Sequence, residues 1–549
     1  MREKRSFFGV LVLSLLFLFL SLFRLGSREV PQTYWEPQEA QEVVLVDLGG
    51  VYAVGRVSYF VALAQGSSYT FEYSQDGVSW EKGPKLESRW VFRWEHVDGP
   101  FLARYFRITA QKPQGMLGEI AFFEARTSRL LSVASFSPHA QSLFDEQHTA
   151  QFEGSYLTGT YFDEIYHART AFEHLHRLPP YEWTHPPLGK LIIALGIVLF
   201  GMNPFGWRIM GVVFGTLLIP AVFSFSRLFV QDAYALFAAT LFTFDFMHFV
   251  QARIATIDTY VVFFILLAYF FLFRYFQRKD MSSLFLSGLF FGLGAATKWT
   301  AVYAGIGMAL LFFAYHSQAI KEGTVSLREF LWRILPLSVV FFLFVPVLLY
   351  FLSYFPYLLV PGYSFRDLLR LQVSMYRYHH DLKATHPFAS PWWEWPIMAR
   401  PIWLYKGEGL PKGYISSIVS FGNPALWWVG GIVVLFALVT PAFLRREGVS
   451  WILVAFFSQY VPWMLVPRIT FIYHYYGCVP LLAVLLGIFF AWLEREHPSA
   501  QVWRWVLLCG AVGLFVLFYP ILSGAVVSKA YVLRFLRWFP SWTFFSGGE

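Results

Sequence analysis

The run YFDEIYHARTAFEHLHRLPPYEWTHPPLGK, residues 161–190, holds the side chains best suited to chemistry. Asp163 and Glu164 are adjacent carboxylates just before a short amphipathic helix expected from Ile165 to His176. Neighbouring carboxylates near a membrane surface favour one of the pair keeping or gaining a proton, which suits acid–base work. The plainer alternative is an exposed acidic helix start with Asp163 as its N-cap. The company these residues keep favours the first reading. The turn His185-Pro186-Pro187 follows closely, and Arg208, Arg253, Asp258, Lys298, Arg400 and Arg468, with His474, stand in or beside apolar runs. Taken singly, such ionisable residues are often interfacial anchors. Together, a ring of cations around an acidic pair suits an anionic substrate whose acceptor must lose a proton. The sequence has no Gly-rich phosphate loop, no CxxC and no HExxH. His379-His380-Asp381 has the residue types of a metal cluster, but on a long loop it is expected to be a polar surface turn.

These residues must be held by a membrane protein. Of 549 residues, 56% are hydrophobic and only 14% charged, with a mean hydropathy of +0.49. A soluble chain carries about 25% charged residues. The composition excludes an ordinary cytosolic enzyme, a disordered scaffold and a nucleic-acid binder. Aromatic residues make up 20%, which fits abundant membrane-interface surface. The net charge of +8 has the sign expected from Lys and Arg retained in cytoplasmic loops. The two cysteines, Cys478 and Cys509, lie inside apolar runs, so no disulfide framework is expected.

The apolar run Ser6–Phe23 follows a basic start and is too long for a cleaved signal, so it reads as a first spanning helix with its N-terminus inside. Ten further runs are expected to span: 207–226, 234–250, 255–276, 282–297, 299–316, 332–354, 425–443, 450–466, 469–493 and 502–522. Basic clusters fall at alternate ends of these runs, which places Asp163 and the ring of cations on the outer side. Leu188–Phe200 is only 13 residues long and contains Lys190, so it is expected to lie flat on the surface. The expected organisation is a first helix at 1–27, a β-domain at 28–128 and a motif-bearing loop at 129–206. Helices follow at 207–354, then a loop at 355–424, helices at 425–522 and an external tail at 523–549.

Residues 30–127 read as soluble, with alternating short strands and an Asp76-Gly77 turn signal, arguing a β-sandwich. The runs VDLGG, EYSQDGVSW, ARYFRI and GEIAFFEA resemble a discoidin-type, galactose-binding-like jelly roll. That resemblance implies a loop end able to bind carbohydrate or lipid head groups. The alternative is a spacer with no ligand; as an accessory module, residues 30–127 could be deleted with transfer still measurable.

A second resemblance covers almost everything else. YFDEIYH, THPPLGKLIIALG, FGWRIMGVVFGTL, ARIATIDTYVVFF, GLGAATKWTAVY, HPFASPWWEWPIMARPIWLY and FIYHYYGCVPLL occur in the order found in protein O-mannosyltransferases. The chain resembles a prokaryotic member of that family within the GT-C glycosyltransferases. The resemblance implies about eleven spanning helices and an active site on the external or periplasmic face of the plasma membrane. It also implies inverting transfer of mannose from a polyprenyl phosphate to Ser or Thr of exported proteins. A different lipid-linked sugar moving to a lipid or glycan acceptor is the alternative. The 355–424 loop is too short for the β-trefoil of eukaryotic members, and the β-domain is not part of the usual family pattern. A glycosyl phosphate already has a good leaving group, so one base suffices, and the resemblance gives that role to Asp163, beside Glu164. Lys298, Arg208 and Arg400 are expected at the phosphate, with Arg468, His185 and Asp258 as further substrate-binding candidates. No cofactor is required, although a divalent metal is compatible with the scheme. The expected partners are the lipid-linked sugar, the acceptor protein and membrane lipids, with a carbohydrate as candidate ligand of the β-domain.

Overall fold

A computed structural model describes residues 2–63, 68–88, 90–113 and 115–545; the last four residues of the expected tail lie outside the described residues. The soluble-looking region is an antiparallel β-domain. Its central strand, Val43–Val61, pairs with Arg93–Ala110 on one side and Leu117–Glu124 on the other, and Ser68–Ser74 extends the sheet beyond Arg93–Ala110. Register shifts between Asp47 and Tyr52 and between Val54 and Arg56 interrupt the long central strand, as β-bulges do where a sheet must bend. Alternate residues turn inward, so Val44, Val46, Phe71, Phe106, Ile108, Ile120 and Phe122 form a dry core. The Asp76-Gly77 turn is present: Gly77 takes φ +77°, and the Asp76 carboxylate accepts the N–H groups of Val78 and Ser79 at 2.9 and 2.8 Å.

The remainder is helical. Among the described residues, five helices are long and apolar enough to cross a membrane: Pro204–Ser226, Asp258–Arg278, Leu327–Ser353, Ile472–Glu496 and Pro498–Ser523. The expected span 234–250 is two pieces, Asp232–Thr243 and Phe246–Ala252, bent by 61°; counted as one, they make a sixth. Asp245 causes the break. Its carboxylate accepts the His248 N–H at 3.0 Å as an N-cap and also takes the N–H of Asn423 and the Trp427 indole. Shorter apolar helices occupy Ser6–Leu22, Leu188–Phe200, Met281–Thr297, Pro424–Val439 and Val449–Leu465, and Ala301–Lys321 fills the remaining expected run. Burial separates inner from outer helices. In the most apolar stretch of Asp258–Arg278, 72% is buried, against 17% in Leu327–Ser353, where Leu343, Phe344 and Leu348 face outward. An apolar face left outward is what lipid contact requires. Neither cysteine is paired.

The β-domain does not stand apart from the helices. Phe60, Val91, Phe92 and Trp94 share one apolar cluster with Ala168, Phe172, Ile193, Trp207, Ile257 and Tyr260. Arg56 of the central strand also reaches the motif-bearing loop, donating to the Phe152 carbonyl at 2.8 Å and pairing with Glu153 at 2.5 Å. An independent spacer would share no core with the helices it precedes.

Candidate active site

The expected helix after Asp163 is present as Glu164–Leu175, with Asp163 in the capping position. Its side chain caps nothing, and among the described residues no donor reaches the carboxylate. Burial, then the negative charge of Asp258, pushes the Asp163 carboxyl up to about 7, against the opposing pull of Lys298. Lys298 and Asp258 form a pair at 2.8 Å, with Lys298 set 5.6 Å from the Tyr473 ring. Asp163 is thus a half-buried acid with no structural duty, beside a cation.

Glu164 differs completely. It is fully buried and holds Arg208 through two bonds of 2.7 Å, while also accepting the N–H groups of Ala255 at 3.0 Å and Tyr161 at 3.2 Å. Arg208 spends its remaining donors on the carbonyls of Leu25 at 2.8 Å, Tyr156 at 2.6 Å and Gly159 at 3.0 Å. All five guanidinium N–H groups are therefore occupied. This corrects two expectations: neither Glu164 nor Arg208 has a free group for substrate. Arg253 is likewise committed, donating to the carbonyls of Ser21 at 3.2 Å, in the last turn of the first helix, and of Phe23 and Arg24 at 3.0 Å just after it.

The His185 turn is clamped from below. Lys190, whose side chain is 1% exposed, donates to the Glu182 carboxylate at 2.5 Å and to the carbonyls of Glu182 and His185 at 2.9 and 2.8 Å. A lone lysine in an apolar helix needs such a buried anion. Burial opposes ionisation of Glu182, but Lys190 and His185 outweigh it and hold the carboxyl well below its usual range. His185 Nδ1 lies 3.0 Å from the same carboxylate, and burial lowers the imidazole pKa. A neutral ring donating from Nδ1 leaves Nε2 as an acceptor, which fits a hydroxyl better than a phosphate.

His379 was expected on a surface turn. It instead closes the helix Phe365–Asp381 and reaches inward, its Nε2 2.7 Å from the Thr184 carbonyl and its ring 5.3 Å from that of His185. The Arg468 charge acts on His379, and among the described residues Arg468 has no ion-pair partner. Arg400 is different: half-exposed, it pairs with Glu394 at 3.2 Å, and no contact among the described residues links it to Asp163. His474 packs on Trp463 at 4.1 Å between ring centroids. The structure thus groups Asp163, Asp258, Lys298, His185 and Arg468, and adds Glu182, Lys190, His379 and Tyr473. Among the described residues, one set of carboxylates and imidazoles is close enough to share an ion: Glu119, Asp145 and Glu146, in and beside the β-domain.

Comparisons with known proteins bear on the family and the fold. Residues 184–350 match the family described as dolichyl-phosphate-mannose-protein mannosyltransferase. Residues 364–542 match the C-terminal four-transmembrane region of protein O-mannosyltransferase. A polyprenol-phosphate-mannose–protein mannosyltransferase from Mycolicibacterium smegmatis is 25% identical over 451 residues, 69% of this chain and 87% of that protein. Its counterpart from Corynebacterium glutamicum is 26% identical over 65% of this chain and 81% of that one. The solved S. cerevisiae protein O-mannosyltransferase complex bound to the sugar donor superposes with a TM-score of 0.62 at 13% identity. The match covers 70% of this chain and 89% of that chain, a likeness of fold.

Proposed function

Because the chain belongs to the protein O-mannosyltransferase family of glycosyltransferases, we propose that it moves mannose from a polyprenyl-phosphate carrier to Ser or Thr hydroxyls of exported proteins. Asp163 carries this reading: among the described residues it is the acid in the motif loop whose carboxylate has no hydrogen-bond partner, poised near neutrality beside Lys298. Its carboxylate takes the acceptor proton as the hydroxyl oxygen bonds to the anomeric carbon. The bond from that carbon to the phosphate oxygen breaks on the opposite face, so the configuration inverts. Negative charge then gathers on the departing lipid phosphate, where Lys298 and Arg468 stabilise it. Asp258 holds Lys298 in place, and His185 Nε2 accepts from a substrate hydroxyl. Arg208 and Glu164 serve the frame instead. Every step uses side chains of the chain itself and requires no metal.

We place the site on the outer face of the plasma membrane, with eleven spanning helices and a jelly-roll β-domain as the arrangement. The thirteen-residue length of Leu188–Phe200 supports its lying flat, as does its exposed rim of Leu195, Val198 and Leu199. A cysteine placed at Gly201 or Asn203 should then label from outside intact cells. Labelling only after permeabilisation would reverse this topology.

The function is tested by mass spectrometry of exported proteins from matched strains with and without the gene. Hexose should disappear from Ser/Thr peptides in the strain without it. Unchanged proteins with altered envelope lipids or glycans would instead assign the transfer to a lipid or glycan acceptor.

A further inference from the structure

We infer that the β-domain is a positioning part of the transfer site, its Val91–Phe92 backbone fixing Thr160 and through it the carboxylate of Asp163. The contacts are backbone-deep. Thr160 donates its N–H to the Phe92 carbonyl at 3.0 Å and its hydroxyl to the Val91 carbonyl at 2.5 Å. Gly159 lies so close that a Cβ there would collide with Arg93, whose Cα it would meet at 2.9 Å. Gly154 sits against Trp94 in the same way, its Cβ position 3.0 Å from the Trp94 carbonyl. From the opposite side, Arg208 grips the Gly159 carbonyl at 3.0 Å and the Glu164 carboxylate.

Asp163 therefore lies on a short bridge, Tyr161–Phe162–Asp163, between two fixed points. Thr160 is held by the β-domain, and Glu164 by the helical module. Within the bridge Phe162 takes φ +48°, a left-handed conformation that costs a side-chain-bearing residue free energy and persists only where its surroundings enforce it. Releasing the Thr160 end would let Phe162 relax to an ordinary conformation and swing the carboxylate of its neighbour. A misplacement near 1 Å can cost roughly 100-fold in rate. The domain expected from sequence to be removable is, on this geometry, half of the clamp on the base.

This inference rests on Asp163 being the base, and the experiment keeps the two apart. Thr160→Val keeps the shape and loses the hydroxyl donor; Thr160→Ser keeps the donor. In the full-length enzyme, Thr160→Val should lower single-turnover transfer by roughly 10–100-fold with polyprenyl-phosphate-mannose binding unchanged. Thr160→Ser should stay near the parent rate. A carboxylate released toward water loses the burial that raised it, so the acid limb of the rate profile should move to lower pH in Thr160→Val. A lowered unfolding temperature with the parent rate and pH profile would overturn the inference, leaving Thr160 a purely structural contact. Should Thr160→Val fail to fold, Arg56→Gln weakens the same docking through Phe152 and Glu153. A reduced rate there supports the inference; an unchanged rate overturns it. Asp163→Asn is measured alongside. If that variant turns over normally, the base assignment falls and this inference with it. If it is inactive while Thr160→Val is normal, the positioning role alone falls.

Discussion

Asp163→Asn should slow single-turnover sugar transfer by roughly 10²–10⁴-fold, the usual loss when a general base is removed. Asparagine nearly preserves the shape of aspartate but cannot take the acceptor proton. Donor binding should survive, because the cations assigned to the phosphate are Lys298 and Arg468; it should even tighten slightly as a negative charge leaves the site. Stability should hold or rise, which separates this variant from a structural lesion. The carboxyl is pushed up from its usual range to about 7. The folded state therefore disfavours the ionised form, and this carboxylate lowers stability progressively as pH rises from the unfolded value through 7. Removing the charge removes that penalty. The same value sets the pH dependence of the parent enzyme. The base works as carboxylate, so kcat/KM should fall about tenfold per pH unit below roughly 7 and level off above it. A variant with near-normal turnover would take the base role from Asp163, as would a parent profile flat down to pH 5.

The same residues show what sequence could and could not convey. A bilayer demands that every backbone polar group be satisfied within the segment, so long apolar runs announce themselves, and helices stand at all of them. The break at Asp245 was hidden, because one N-cap inside an apolar run resembles a mere interruption; only the Trp427 and Asn423 donors, about 180 residues away, make it a hinge. The acidic pair was legible as a unit, but its division of labour was not. Glu164 and Arg208 are 44 positions apart, and nothing local says which carboxylate Arg208 will take. Lys190 did carry a usable signal. A lysine that interrupts an apolar helix must find a buried anion, and Glu182 lies eight residues back. The docking of the β-domain left no such trace, since Val91 and Phe92 are ordinary apolar residues in the sequence and the groups that hold Thr160 are their backbone carbonyls.

The second large effect concerns the acid beside the base. Glu164→Gln should leave the protein poorly folded or strongly destabilised, where Asp163→Asn leaves it folded and slow. Both partners of the Glu164–Arg208 pair are 0% exposed, and two bonds of 2.7 Å join them. Desolvating two such charges is costly, and their mutual attraction offsets it only while both are present. Neutralising one strands the other, which typically costs about 3–5 kcal/mol. The damage should spread, because Arg208 also ties together Leu25 after the first helix and Tyr156 and Gly159 in the motif loop. Replacing both charges together, as Glu164→Leu with Arg208→Met, removes the stranded ion and should recover much of the lost unfolding temperature. It should not recover all of it, since three backbone carbonyls then lose their donors. Detergent-phase thermal unfolding and transfer rates on the three variants decide the matter. If Glu164→Gln unfolds at the parent temperature yet fails to transfer sugar with donor bound, Glu164 belongs to the chemistry, and the division between the two carboxylates argued from their hydrogen bonds is reversed.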